Sequence, residues 1–386
     1  MAGNTVVVLG GGTGGIVAAH RLRHELARGD RVVVVERDPV YRFAPSFLWV
    51  LTGERRPEQV SADLRRLRRH GIELVEGDVH AIDTDAHRVE TAIGSIAYDR
   101  LVVALGAELA PELLPGFAEA ALDVYTLDGA VQAGSALGGF AGGRVAVLVS
   151  RLPYKCPAAP YETALLAEAL LRRRGVRDRS SVDVYTPEPL PMPTAGPELG
   201  EAVRGLLESR GIGFHPERTA ERVEPGSREL VLEGGERVPF DLLLGIPPHR
   251  APAVIRESTL AGPTGFVPVD RTTLATAAAE GVFAIGDATS IPVSGGRFLP
   301  KAGVFAHAQA EVVGKRIAAE LAGRAPTAGF DGKGGCFLEL GDGRAAYASG
   351  DFYADPRPQV RMRSPGRRWH LAKVAFERYW LWRWFR

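Results

Sequence analysis

The run Gly10-Gly-Gly12-Thr-Gly-Gly15 constrains this chain more than any other feature, because of what stands on either side of it. Before it lies Thr5-Val-Val-Val-Leu9, an apolar strand pattern. After it, the stretch from Ile16 to Ala27 reads as a helix, and Arg31-Val-Val-Val-Val-Glu36 is a second strand that ends in an acid 21 positions past the last glycine. A glycine pattern alone says little. In this setting of strand, turn, helix and strand it defines a dinucleotide-binding βαβ unit. Gly10 makes the tight turn, Gly12 lets a pyrophosphate reach the backbone at a helix N-terminus, Gly15 permits close packing, and Glu36 is placed to accept from a ribose hydroxyl.

The 386 residues suffice for two or three domains. A hydrophobic content of 45% with 24% charged residues is ordinary for a globular chain, which argues against wholesale disorder and against a membrane bundle. The first strand begins within five residues, so no leader peptide and a cytoplasmic protein are expected. Two cysteines 180 positions apart are too few for a disulfide framework or a structural zinc site, and the nine histidines have no ligand spacing; no metal is expected.

Further along, Val75-Glu-Gly-Asp-Val79 with Ala81-Ile-Asp83 reads as another edge of the first unit, and Tyr98-Asp-Arg-Leu-Val-Val-Ala-Leu-Gly106 as a buried strand running into a glycine. The alternation then repeats: strand Val145 to Ser150, helix from about Tyr161 to Arg174, strand Ser181 to Tyr185, helix Glu198 to Arg210. Where this second unit should have a glycine loop it has Ser150-Arg-Leu-Pro-Tyr-Lys-Cys156-Pro-Ala-Ala-Pro160. Prolines donate no amides and bulky side chains obstruct a phosphate. Its second strand ends Val-Tyr-Thr186-Pro187 with no acid at the ribose position, so nicotinamide binding is expected to be lost and the loop to serve thiol chemistry instead. Gly281-Val-Phe-Ala-Ile-Gly286-Asp287 returns the chain to the first unit, with Asp287 either a helix cap or a ligand to a bound nucleotide.

The C-terminal segment is electrostatically distinct. Residues 357–386 hold nine Lys or Arg against the single acid Glu377, in a chain of net charge +1. Four of the five tryptophans also lie there, and Trp369, Ala372, Phe376, Trp380 and Trp384 recur at helical spacing among arginines. The segment is too short and charged to span a bilayer, and suits a helix lying in an anionic headgroup layer; a docked or dimer-forming helix is the alternative. No nucleic-acid-binding module is present.

In this order, Pro153-Tyr-Lys-Cys156-Pro-Ala-Ala-Pro-Tyr-Glu162, Gly286-Asp287, Leu299-Pro-Lys301-Ala-Gly303, Cys336 and the aromatic tail resemble the sulfide:quinone oxidoreductases over nearly the whole chain. The architecture is shared with flavocytochrome c-type sulfide dehydrogenases and type II NADH dehydrogenases. The resemblance implies an α/β fold of two Rossmann-like, three-layer ββα domains (residues 1–107 with 251–325, and 108–250) and a C-terminal amphipathic membrane-binding region, 326–386. It implies FAD held by Gly10, Gly12, Gly15, Glu36, Val79, Gly106, Gly286, Asp287 and Lys301, with Lys301 near the pyrimidine edge. Catalysis would fall to Cys156 as holder of the sulfane sulfur, Cys336 as the flavin-side thiolate, and Glu162 as proton handler, for which a solvated acid at a helix N-terminus is the plainer alternative.

The implied partners are sulfide, a membrane quinone and the membrane surface, met peripherally from the cytoplasmic face, with a homo-oligomer left open. A flavin-bound redox sensor is the alternative from another class. Many members carry a third cysteine upstream of the Cys156 position, and this chain has none. Loss of residues 366–386 is expected to leave sulfide-driven flavin reduction intact, since both cysteines and every assigned FAD contact lie upstream.

Overall fold

The computed structural model describes residues 3–386. Strand β1 (Thr5–Leu9) turns through the glycines into helix α1 (Thr13–Glu25), followed by β2 (Arg31–Glu36), β3 (Glu73–Glu76) and β4 (Arg100–Val103). A second series comprises β5 (Leu122–Asp123), α2 (Leu127–Gly139), β6 (Gly143–Val149), α3 (Ala159–Arg173), β7 (Ser180–Tyr185), α4 (Pro197–Glu208), β8 (Gly213–His215) and β9 (Leu242–Ile246). Then come β10 (Val282–Ala284), α5 (Gly303–Leu321), the strands β11 (Lys333–Gly341), β12 (Arg344–Asp351) and β13 (Gln359–Gly366), and helix α6 (Arg367–Phe385).

Two parallel five-stranded sheets result, in the orders β10-β4-β1-β2-β3 and β5-β9-β6-β7-β8. Their central strands are apolar throughout because both faces are covered. Alternation assigns the faces: Val6, Val8, Val32 and Val34 pack with α1 and α5, while Val7, Leu9, Val33 and Val35 pack under the antiparallel strands at residues 79–83 and 88–91. The second sheet repeats the plan. Val145, Val147 and Val149 face α3, and Ala146 and Leu148 face an antiparallel layer at residues 220–232. This mixed α/β, three-layer architecture agrees with the fold expected from the sequence.

Local chemistry in the first loop follows the glycine reading. Gly10 has φ +101°, a conformation that side chains rarely adopt. A Cβ on Gly15 would lie 1.8 Å from the Gly10 carbonyl oxygen, whereas one on Gly12 would meet nothing within 4 Å. Gly12 therefore borders open space at the start of α1, where no side chain caps the helix.

The C-terminal helix departs from expectation. Trp380 and Trp384, read as lipid-facing, are buried at 4% and 6% exposure against the first unit. Trp380 packs on Phe43 and His307, Trp384 on His20, and Phe385 on Tyr41. Glu377, the tail's one acid, is buried and bonded by Arg55 (2.8 Å) and Ser46. The carbonyls ending the helix receive Arg66, on Phe385, at 3.2 Å, and lie 3.2 Å from the rings of His20 (on Trp384) and His70 (on Arg386). The face left outward is a different one, made of Leu371, Tyr379 and Trp382 among Arg368, Arg378 and Arg383, with the half-exposed Phe376 at its edge against Phe43. Helical spacing finds a stripe but not what covers it; here Lys373 and Glu377 belong to the docked stripe because their charges are paired inside.

The two loop glycines separate folding from binding. Gly15→Ala should displace α1 from β1, costing about 1–3 kcal/mol by overpacking, with a lowered Tm. Gly12→Ala should keep the Tm within about a degree or two of wild type and instead lower flavin retained per chain, read from absorbance after gel filtration. Equal losses of Tm in the two variants would overturn this assignment.

Candidate functional site

The loop between β6 and α3 (residues 150–158) carries Cys156, and it is tied to its surroundings at both ends. Ser150 Oγ donates to Ile246 O (2.6 Å), Cys156 N–H donates to Lys301 O (2.6 Å), and Tyr125 OH donates to Cys156 O (3.2 Å). Cys156 itself sits at φ +52°, a strained conformation for a side chain that the surrounding bonds over-determine. Cys336 comes from β11, with its Sγ 3.3 Å from Phe337 O. Both cysteines are partly exposed toward one mainly apolar cavity of about 420 Å³, whose wall also includes Lys301, Phe266, Glu188 and Met192. The two sulfurs are unbonded in this structure.

Burial pushes the Cys156 thiol well above its usual range, reinforced by Cys336 and Glu162 and opposed by Lys373. The same burial, with Glu162, pushes Cys336 up to about 12, again against Lys373. Free thiolates are thus disfavoured here unless a cation stabilises them.

That cation comes from the C-terminal helix. Lys373, 4% exposed, points its ammonium at Glu162 (3.5 Å) and Glu339 (3.9 Å), and lies 4.7 Å over the Trp49 ring. Burial works against its charge, but Glu162, Glu339 and the two thiols prevail and hold its pKa above the usual value. Glu162 is no solvated acid. It is 4% exposed in the first turn of α3 and accepts the Glu339 N–H at 2.8 Å, while Glu339 Oε2 lies 3.0 Å from His370 Nδ1. Sequence reasoning missed Lys373, Glu339 and His370. The signal available was the i, i+4 pairing of Lys373 with Glu377 on an otherwise aromatic stripe.

The residues expected to hold FAD fall in two groups. Gly10, Gly12 and Gly15 form the loop, with Glu36 accepting Gly11 N–H at 2.6 Å; Val79 starts its strand beside that layer, and Gly106 (φ +70°) follows β4. Gly286 and Asp287 follow β10, where Gly286 N–H donates to Gln309 Oε1 (2.6 Å). Asp287 does not cap α5; its Oδ1 is buried without a partner, and burial holds its pKa above the usual carboxylate range despite Lys301 and Lys155. An unsatisfied buried oxygen is what a ligand hydroxyl would complete. Lys301 is 8% exposed, bonds Asp287 O (2.7 Å) and Thr289 O (3.1 Å), and is drawn down to about 8 by burial. It is not a surface lysine, and these residues fit a dinucleotide cofactor.

A parallel sheet with an uncapped glycine turn, joined to a second such sheet whose loop brings one cysteine to a cavity shared with another, defines a flavin-dependent disulfide oxidoreductase. The family model described as pyridine nucleotide-disulphide oxidoreductase matches residues 4–310, and the chain belongs to that family, whose cofactor is FAD. Among its relatives, the mitochondrial sulfide:quinone oxidoreductase of Mus musculus is 28% identical over 366 residues, 91% of this chain and 79% of the mouse protein. The sulfide-quinone reductase of Aquifex aeolicus is 26% identical over 400 residues, covering 98% of this chain and 90% of its own. The crystal structure of the Aquifex aeolicus sulfide:quinone oxidoreductase superposes with a TM-score of 0.88 at 25% identity, over 99% of this chain and 91% of that one. A NAD-dependent persulfide reductase from A. fulgidus shares the fold, with a TM-score of 0.69 at 20% identity over 90% of this chain and 64% of its own.

Lys373→Gln should slow alkylation of both thiols by iodoacetamide at a fixed pH, because removing the cation raises pKa values that burial has already raised. It should also destabilise the fold by roughly 3–5 kcal/mol, the usual cost of leaving a buried carboxylate unpaired. Unchanged alkylation rates in the folded variant would detach Lys373 from the thiols.

Proposed function

We propose that this protein is a sulfide:quinone oxidoreductase in which Cys156 and Cys336 form the redox pair. The observation that carries the reading is the convergence of both cysteines on one cavity, with Lys373 and Glu162 behind them and the FAD-holding Lys301 in its wall. In the oxidised form the two sulfurs are joined. Hydrosulfide attacks at Cys156, leaving a persulfide there and releasing Cys336 as thiolate. Lys373 stabilises that leaving anion, which burial would otherwise disfavour, and the Glu162 carboxylate takes up the proton of the incoming hydrosulfide. FAD, when bound, accepts the two electrons and yields them to quinone. Apolar walls exclude water from the sulfur intermediates.

Membrane contact is assigned to the outward face of α6, where Leu371, Tyr379 and Trp382 are 63%, 57% and 53% exposed beside Arg378 and Arg383. Aromatic and basic groups together suit a peripheral position at an anionic surface, on the cytoplasmic face. Among the described residues, no helix is long and apolar enough to cross a membrane.

Cys336→Ser should keep FAD and lose sulfide-driven bleaching of the flavin under anaerobic conditions, while the wild type bleaches with sulfide and recovers with quinone. NADH should bleach neither protein, since the loop of residues 150–158 is closed by its own bonds. Normal bleaching in Cys336→Ser would end the cysteine mechanism, and saturable bleaching by NADH would move the protein to the NADH dehydrogenases.

The docked tail changes the test for the membrane. Deleting residues 366–386 removes Lys373 and so should abolish the sulfide step itself. The triple change Leu371→Ser, Tyr379→Ser, Trp382→Ser should instead reduce sedimentation with anionic vesicles at least tenfold, with bleaching by sulfide retained. Undiminished sedimentation would place the contact elsewhere.

A further inference from the structure

The second parallel sheet keeps an acid that the first sheet makes recognisable. At the end of β2, Glu36 accepts a backbone N–H of the glycine loop, 2.6 Å from Gly11, beside the open side of the fold. Beyond the end of β7 stands Glu188, and its partner is again the loop that follows the neighbouring strand: Tyr154 OH donates to Glu188 Oε2 at 2.8 Å. Tyr161 OH donates to the same oxygen, and Thr186 Oγ1 lies 3.4 Å from it. Glu188 is 3% exposed and contributes to the wall of the cavity that Cys156 borders.

Tyr154 and Tyr161 flank Cys156 in the sequence, on the loop and on the first turn of α3. One carboxylate oxygen thus ties down both ends of the segment that carries the strained cysteine. Tyr154 OH also reaches Pro157 O at 3.4 Å, and Tyr125 holds the Cys156 carbonyl at 3.2 Å. The titratable groups facing Glu188 are these three phenols, each kept un-ionised chiefly by burial. Among the described residues, no ammonium or guanidinium bonds the carboxylate. Donors converging on one oxygen suit the ionised acid, since charge-assisted hydrogen bonds are the strong ones.

We propose that Glu188 is a positioning residue for Cys156: its carboxylate holds Tyr154 and Tyr161 together and thereby fixes the loop conformation in which the cysteine borders the cavity. The inference rests on the reading of Cys156 as the sulfur-carrying residue. Burial raises the Glu188 pKa to about 7 even against its hydroxyl donors. The clamp is therefore strong above neutral pH, where the acid is ionised, and weakens as pH falls through that value.

The test is sulfide-driven flavin bleaching by the holoenzyme and by Glu188→Gln, each measured by stopped flow from pH 5.5 to 8.5. Taking the ratio of wild-type to variant rate at every pH cancels the ionisation of sulfide and of every group the two proteins share. The ratio should rise about tenfold, as expected for one charge-assisted hydrogen bond, along a single-proton curve centred near pH 7. A ratio independent of pH, whatever its size, overturns the proposal, because mere structural damage has no reason to titrate there. If Glu188→Gln does not fold, Tyr154→Phe is read the same way, with a smaller rise expected since Tyr161 remains; a flat ratio again overturns it. Absence of bleaching in the wild type would instead refute the sulfide reading, a result distinct from either.

Discussion

The charge cluster of Lys373, Glu162 and Glu339 is the contact on which the rest of the site depends. Its members come from α6, α3 and β11, segments more than 150 residues apart at the extremes, and all three are nearly sealed from solvent. A buried ion pair is weak evidence of net stability, because desolvation offsets most of the attraction. What it does is make the arrangement all or nothing: any shift of α6 leaves an acid unpaired beside two thiols. The aromatic packing of Trp380, Trp384 and Phe385 on the first unit, and the Arg55–Glu377 pair, hold the helix at the depth that the ammonium requires. Docking of α6 and the electrostatics of the cysteines are thus one problem with one solution.

The two parallel sheets close the loop from strand to helix in opposite ways. In the first, three residues join β1 to α1, and a helix N-terminus is left bare. In the second, nine residues join β6 to α3, and the phenol of Tyr154 reaches the acid that loop amides would otherwise approach. The second loop is thus occupied by side chains and tied to the residues around it, and it carries a cysteine.

Much of this was legible in the amino-acid sequence. β1, β2 and the helix between them were readable because continuous apolar runs, glycines and a terminal acid are local signals that tertiary packing does not alter. Cys156, Cys336 and Glu162 could be singled out by their neighbours in the chain. Lys373, Glu339, His370 and Glu188 could not, since a charged residue in a helix or after a strand reads as surface unless its partner is known, and each partner here lies far away in sequence. The tail failed for a related reason. Its arginines and tryptophans describe a helix with two unlike faces, and only the docking carbonyls held by Arg66, with His20 and His70 against them, reveal which face is turned inward.

The order of the elements along the chain has a consequence during synthesis. Glu162 leaves the ribosome more than two hundred residues before the lysine that neutralises it, and the edge strand β10 of the first sheet follows the whole second series. Until α6 is in place, both thiols and Glu162 are without the ammonium that the folded chain sets beside them. The charge balance around the two sulfurs is complete only once this last helix has docked.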